Sequence, residues 1–144
     1  MSGAERVGCA FVAYRERGQV AGWTQRLGVS PTVSHEVGQP VVLPSGRVRH
    51  ARIGRWELDS EEHVDAPDFA AHLEWLLALL EPSADVLPAM AREDTVRMAV
   101  RVIWWSADGR SGPRLSAHHA RRLAGLGLEL QFWFSYYGDD ADDE

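Results

Sequence analysis

Thr95-Val96-Arg97-Met98-Ala99-Val100-Arg101-Val102-Ile103-Trp104-Trp105, residues 95–105, is the longest alternating run in the chain. Side chains of an extended strand point to opposite faces in turn. Val96, Met98, Val100, Val102 and Trp104 therefore share one face, and Arg97, Ala99, Arg101, Ile103 and Trp105 share the other. The first set predicts a core-facing surface; the second is mixed, combining cations, small residues and a tryptophan.

Outward from this strand, residues 106–113 read as a polar turn. Ser116 is a good N-cap for a helix through Leu123 and Leu126 that Gly127 ends. Residues 128–137 alternate again, with Leu128, Leu130, Phe132, Phe134 and Tyr136 expected inward and Glu129, Gln131, Trp133, Ser135 and Tyr137 outward. On the N-terminal side, residues 84–92 suggest a short helix with Val86, Leu87 and Met90 inward, interrupted by Pro88. The strongest helix starts at Pro67, carries Phe69, Leu73, Leu76, Leu77 and Leu80 on one face, and ends at Pro82. Residues 41–43 and 52–58 are predicted to form an irregular hairpin about Pro44-Ser45-Gly46, with Trp56 in its second arm. Residues 7–14 make a first strand, and Val20, Trp23 and Leu27 mark a short helix stopped by Gly28.

This order of elements implies an α+β fold, with helices packed on one face of a largely antiparallel sheet. Leu27-Gly28-Val29 is echoed by Leu126-Gly127-Leu128, which points to ferredoxin-like split strand-helix-strand repeats. At 144 residues, 45% of them hydrophobic and 25% charged, the chain fits one α+β domain over residues 1–138 and an acidic disordered tail over 139–144. No secretory pattern stands at residues 1–6 and no apolar run is long enough for a membrane span, so a cytoplasmic location is expected. The formal net charge of -6 opposes nucleic-acid binding.

The single cysteine, Cys9, lies among apolar residues and reads as a small buried strand residue. Adjacent histidines on a helix point about 100° apart, so His118 and His119 do not make a chelating pair and read as solvated helix residues. His35 and His63 lack zinc-site spacing. Ser45 and Ser111 lack the context of a catalytic serine, and a chain without lysine has no phosphate-loop lysine. Neither a catalytic residue, nor a metal, nor a cofactor is implied.

Two surfaces remain. Arg47, Arg49, Arg52 and Arg55 could hold an anion, as arginine forks suit carboxylates and phosphates, or could be a solvated hairpin whose charge blocks edge pairing. Arg97, Arg101, Trp105, Gln131 and Trp133 fall on the polar side of their strands and have the composition of an interface centre. Trp23, Trp56, Trp75 and Trp104 are expected in the core.

The steps Leu27-Gly28-Val29 and Pro31-Thr32, then Gly38, the Gly-x-Trp-x-Leu segment at residues 54–58, the Leu115-Ser116 helix start and the ending Leu126-Gly127-Leu128-Glu129-Leu130-Gln131-Phe132 together resemble the bacterial domain-of-unknown-function family 4279. The resemblance spans most of the chain and implies a fold but no catalytic residue. Arginines at 47, 49, 52 and 55 stand where members often carry lysines. The expected function is a non-enzymatic protein-binding or self-assembling domain, immunity-like or regulatory, a homodimer or the neutraliser of a partner. The alternative is a small anionic-ligand binding protein or enzyme using the arginine hairpin.

Overall fold

The long alternating run forms an interior strand of the main sheet, beside the first strand of the chain. In the computed structural model residues 4–106 and 112–136 are described; Ser111, Tyr137 and the acidic residues 139–144 lie outside them. The elements in chain order are β1 (Ala4–Arg15), α1 (Gly22–Leu27), β2 (Val33–His35), β3 (Pro40–Val42), β4 (Val48–His50), β5 (Gly54–Asp59), α2 (Phe69–Leu80), α3 (Val86–Ala91), β6 (Arg97–Ser106), α4 (Ala117–Gly125) and β7 (Leu130–Tyr136). The main sheet has the order β2-β5-β1-β6-β7. All its pairings are antiparallel except β6 with β7.

The four α-helices of the described residues all lie on one side of this sheet. Phe11 of β1, Trp56 of β5 and Val102 of β6 share a single buried cluster with Trp23, Leu76, Leu87 and Leu123 from α1, α2, α3 and α4. The fold is therefore α+β, antiparallel-dominated, with helices on one face. Among the described residues no helix is long and apolar enough to cross a membrane.

The internal repeat is only half present. β5 lies between β1 and β2 and is antiparallel to both, so β1-α1-β2 is a split unit. In β6-α4-β7 the two strands are direct parallel neighbours. The two units differ because β5 has no counterpart between β6 and β7.

The hairpin also differs from expectation. β3 pairs with β4, Val41 opposite Arg49, whereas the segment holding Trp56 is β5 of the main sheet. Two buried apolar residues, Trp56 and Leu58, stabilise β5 more against β1 than beside an exposed arm. The short edge strand β2 falls in a stretch that reads as irregular.

Helix ends follow their local chemistry. Gly28 takes φ 71 at the end of α1, and its N–H reaches the Thr24 carbonyl; a left-handed residue there favours glycine. Asp68 caps α2 by accepting from the Ala70 N–H, and Pro67 stands before the cap. Pro88 is tolerated at the third position of α3, where a helical N–H has no partner to lose. Ser116 accepts from the His119 N–H to cap α4.

α4 is clamped to α2 by Arg122, which bonds Glu74 at 2.6 and 3.0 Å and Glu81 at 2.7 and 2.8 Å. His119, expected to be solvated, is buried instead, its Nε2 at 3.2 Å from Glu74. Arg122 and then His119 hold the Glu74 carboxyl down to about 2 from an ordinary 4.5. A depressed carboxylate contributes stability above its unfolded value and loses it as the pH falls through its folded value. The stability difference between wild type and Arg122→Gln should thus be constant above about pH 5 and shrink toward zero near pH 2. Urea titrations across that range check it; a difference that persists at pH 2 would remove Glu74 as its source.

Candidate functional site

Residues directly paired across strands share a face, so the registers define the sheet's outer side. Ala10 of β1 lies opposite Asp59 of β5 and Arg101 of β6; Val12 opposite Glu57 and Ala99; Tyr14 opposite Arg55 and Arg97. On β7, Gln131 pairs with Arg101 and Trp133 with Ile103. Ala10, Val12 and Ala99 form a small buried cluster against Tyr14, although no helix among the described residues lies over them.

Glu57 stands at the centre of this face. It is 3% exposed, and its Oε1 accepts from Arg55 at 2.6 Å and from Arg101 at 2.9 Å. Arg101 is 8% exposed, lies 3.9 Å from Asp59, and stacks 5.1 Å from the Trp133 ring centroid. The Nε atoms of Arg101 and Arg55 are buried without a partner. Burial raises the Asp59 carboxyl above its ordinary value, against the Glu61 N–H that bonds it.

At one end of the face Glu61 lies over Gly8, where a Cβ would come within 2.4 Å of its Cγ, so a larger residue there would push the Glu61 side chain aside. Glu61 takes Arg6 through two bonds of 2.7 and 2.9 Å, and Arg6 stacks 4.5 Å above Trp105. At the other end a groove of about 480 Å³ is bordered by Tyr14, Ile53, Arg97, Ala99 and Gln131. Thr95 is part of the groove wall and is held at φ 61, an outlier for a β-branched residue. Its hydroxyl oxygen accepts from the N–H groups of Glu16 and Arg17, which ties the turn after β1 to the start of β6.

The structure gathers Arg97, Arg101, Trp105, Gln131 and Trp133 on this one face. Trp133 is 54% exposed and Trp105 37%, and Arg97 and Gln131 are exposed. Arg101 is the exception: it is buried by its ion pair rather than presented to solvent. Glu57, which fixes it, shows in the sequence only as an acid at an outward position of a strand.

The four hairpin arginines are not equivalent. Arg55 belongs to β5 and is bound to Glu57, while Arg47, Arg49 and Arg52 are exposed. Burial, then the charges of Arg55 and Arg49, keeps the His35 imidazole below its ordinary value.

Phe132 and Phe134, expected inward, are 43% and 63% exposed. They lie on the helix side of β7, but no helix among the described residues reaches over them.

One serine and histidine do meet. Ser60 Oγ lies 2.6 Å from His72 Nδ1 and accepts from the Cys9 N–H at 2.9 Å, and His72 Nε2 lies 2.7 Å from the Ala66 carbonyl. A carbonyl only accepts, so the proton sits on Nε2 and the Ser60 hydroxyl donates to Nδ1. Both residues are buried, and the pair fastens the end of β5 to α2 without presenting a nucleophile. His72 lies three residues after Phe69 on the apolar face of α2, the signal that finds it. Burial likewise raises the Cys9 thiol pKa, away from reactivity. Among the described residues no three His, Cys, Asp or Glu side chains come together to hold a metal ion.

No curated protein and no solved structure matches the chain. A family model described as a domain of unknown function, DUF4279, matches residues 5–138, from the first residues of β1 to just past β7. The chain belongs to the DUF4279 family.

Proposed function

We propose that this chain is a non-enzymatic binding domain, and that the outer face of its main sheet takes a protein partner. One observation carries the reading: Trp133, about half exposed, is held in place by the buried Arg101 beneath it. A tryptophan fixed before contact loses little side-chain entropy on binding, and tryptophan with arginine is the usual composition of an energetic centre. The buried Ser60-His72 pair supports the non-enzymatic half, since its two side chains spend their hydrogen bonds on structure. An anion site on the hairpin has less support, because Arg55 is already neutralised by Glu57.

Co-purification from cells that encode the chain tests this. A partner retained by the wild type should be lost on the double substitution Arg97→Glu, Gln131→Arg, and kept on Arg92→Glu, which alters α3 on the opposite side. The reading fails if the outer-face variant retains whatever the wild type retains, or if the Arg92→Glu variant loses it.

A further inference from the structure

β7 is an edge of the main sheet, and among the described residues only β6 pairs with it. The other edge, β2, is three residues long, a length that gives little template for pairing. β7 is seven residues long, Leu-Gln-Phe-Trp-Phe-Ser-Tyr, without a charge or a proline. Three successive aromatic residues, Phe132, Trp133 and Phe134, are exposed on it. Such an edge invites addition of a strand unless something covers it.

We infer that a second copy of this chain covers it, the two β7 strands pairing antiparallel about a two-fold axis at Trp133. The argument for a second copy is the strand's own symmetry. Read from Trp133 in either direction, the sequence gives phenylalanine, then a polar residue, then an apolar one. In the paired register Trp133 meets Trp133, Phe132 meets Phe134 and Gln131 meets Ser135, each residue opposite one of its own class.

Antiparallel partners in direct opposition share a face, so each copy keeps its outer face outward and the two sheets become one. A two-fold interface must be self-complementary in this way. The charge-free strand brings no like charges together at the seam.

The rings are also pre-set. Phe132 and Phe134 lie in nearly parallel planes with ring centroids 5.6 Å apart, and Trp133 rests against Arg101. At about 200 Å² for each ring system, the exposed parts of the three leave roughly 300 Å² per copy to be buried. With the two backbone strips this approaches the roughly 1,000 Å² total that a specific interface needs. The inference rests on the proposed role of the outer face, to which Trp133 and Gln131 belong, and names the partner at its β7 border.

Sedimentation at micromolar concentration should give a dimer for the wild type. Trp133→Glu sets two carboxylates opposite each other on the axis, while Arg101 gives each one a partner within its own chain. The variant should stay folded, with dimer affinity reduced roughly a thousandfold, as an anchoring aromatic is lost on both copies.

Cysteine pairing fixes the register whatever that variant does. Residues on the axis have Cα atoms about 4.5–5.5 Å apart, so Trp133→Cys should oxidise to a covalent dimer. Phe134→Cys alone should not, because the same residue in the two copies is then about 8 Å apart; Cys9 is fully buried and stays silent.

A monomeric wild type, a dimer unaffected by Trp133→Glu, or cross-linking through Phe134→Cys alone overturns the inference. A dimer broken by Arg97→Glu with Gln131→Arg but not by Trp133→Glu would overturn edge pairing while leaving the outer-face reading intact. If the wild type is a monomer, the co-purification series judges that reading separately.

Discussion

Glu57→Ala should lower the stability of the fold by about 3–5 kcal/mol, the usual penalty for removing one partner of a buried ion pair. Arg101 would keep its charge in a site that is nine-tenths closed to water, with only Asp59, 3.9 Å away, to answer it. Arg55 would lose its 2.6 Å contact as well, but it is more exposed and can turn to solvent. Urea unfolding measures the loss. Replacing both members, Glu57→Leu with Arg101→Met, should recover most of it, because a buried pair is worth little more than apolar residues of similar volume. A single-substitution loss below about 1 kcal/mol would mean that the pair is solvated, and the pre-set Trp133 platform would lose its footing.

Trp56→Ala should have a similar effect, about 3–5 kcal/mol, for a different reason. Trp56 is fully buried between sheet and helices, meets Phe11 edge-on at 5.9 Å, and donates its indole N–H to Thr24 in α1 at 3.0 Å. Removing the ring opens a cavity bounded by elements that cannot all move inward. Trp56→Phe retains most of the volume but leaves the Thr24 hydroxyl without its donor, at about 1–2 kcal/mol. Thermal unfolding of the two variants separates volume from hydrogen bond; equal losses would show that the bond, not the packing, dominates.

What the sequence reveals depends on how far apart the cooperating residues lie. β6 and α2 are legible because their periodicity is complete within one segment: strict alternation in 97–105, and an apolar face from Phe69 to Leu80. β5 was expected to fold back on residues 41–43, since neighbouring segments commonly pair. Trp56 and Leu58 are satisfied only by β1, which nothing within residues 41–58 can announce. β2 escapes because Val33, Ser34 and His35 are too few to set a period.

The same division holds for the site. Period-two reasoning places Arg97, Trp105, Gln131 and Trp133 on one side of the sheet, and they share it. It does not reveal that Arg101 sinks into an ion pair, because Glu57 reaches it only through the register of β5, β1 and β6. Nor does alternation distinguish a face that helices cover from one they do not. Phe132 and Phe134 are on the helix side, yet α4 packs toward α2 through Arg122 and leaves them open. The buried histidines His72 and His119 follow the same rule, since each is settled by a residue on another element, Ser60 in one case and Glu74 in the other.

The strand order has a consequence for how the molecule is made. β1 is the first strand in the chain and sits at the middle of the sheet, yet its neighbours are β5, beginning at Gly54, and β6, beginning at Arg97. A chain growing from its N-terminus carries Phe11 unpaired until β5 is made, and the other edge of β1 stays open until Arg97–Ser106 has been added. Contacts between such distant segments slow folding, because the loop must close before any of them forms. A strand buried on both faces thus waits for partners made later, and during that wait its apolar residues are open to a chaperone or to aggregation.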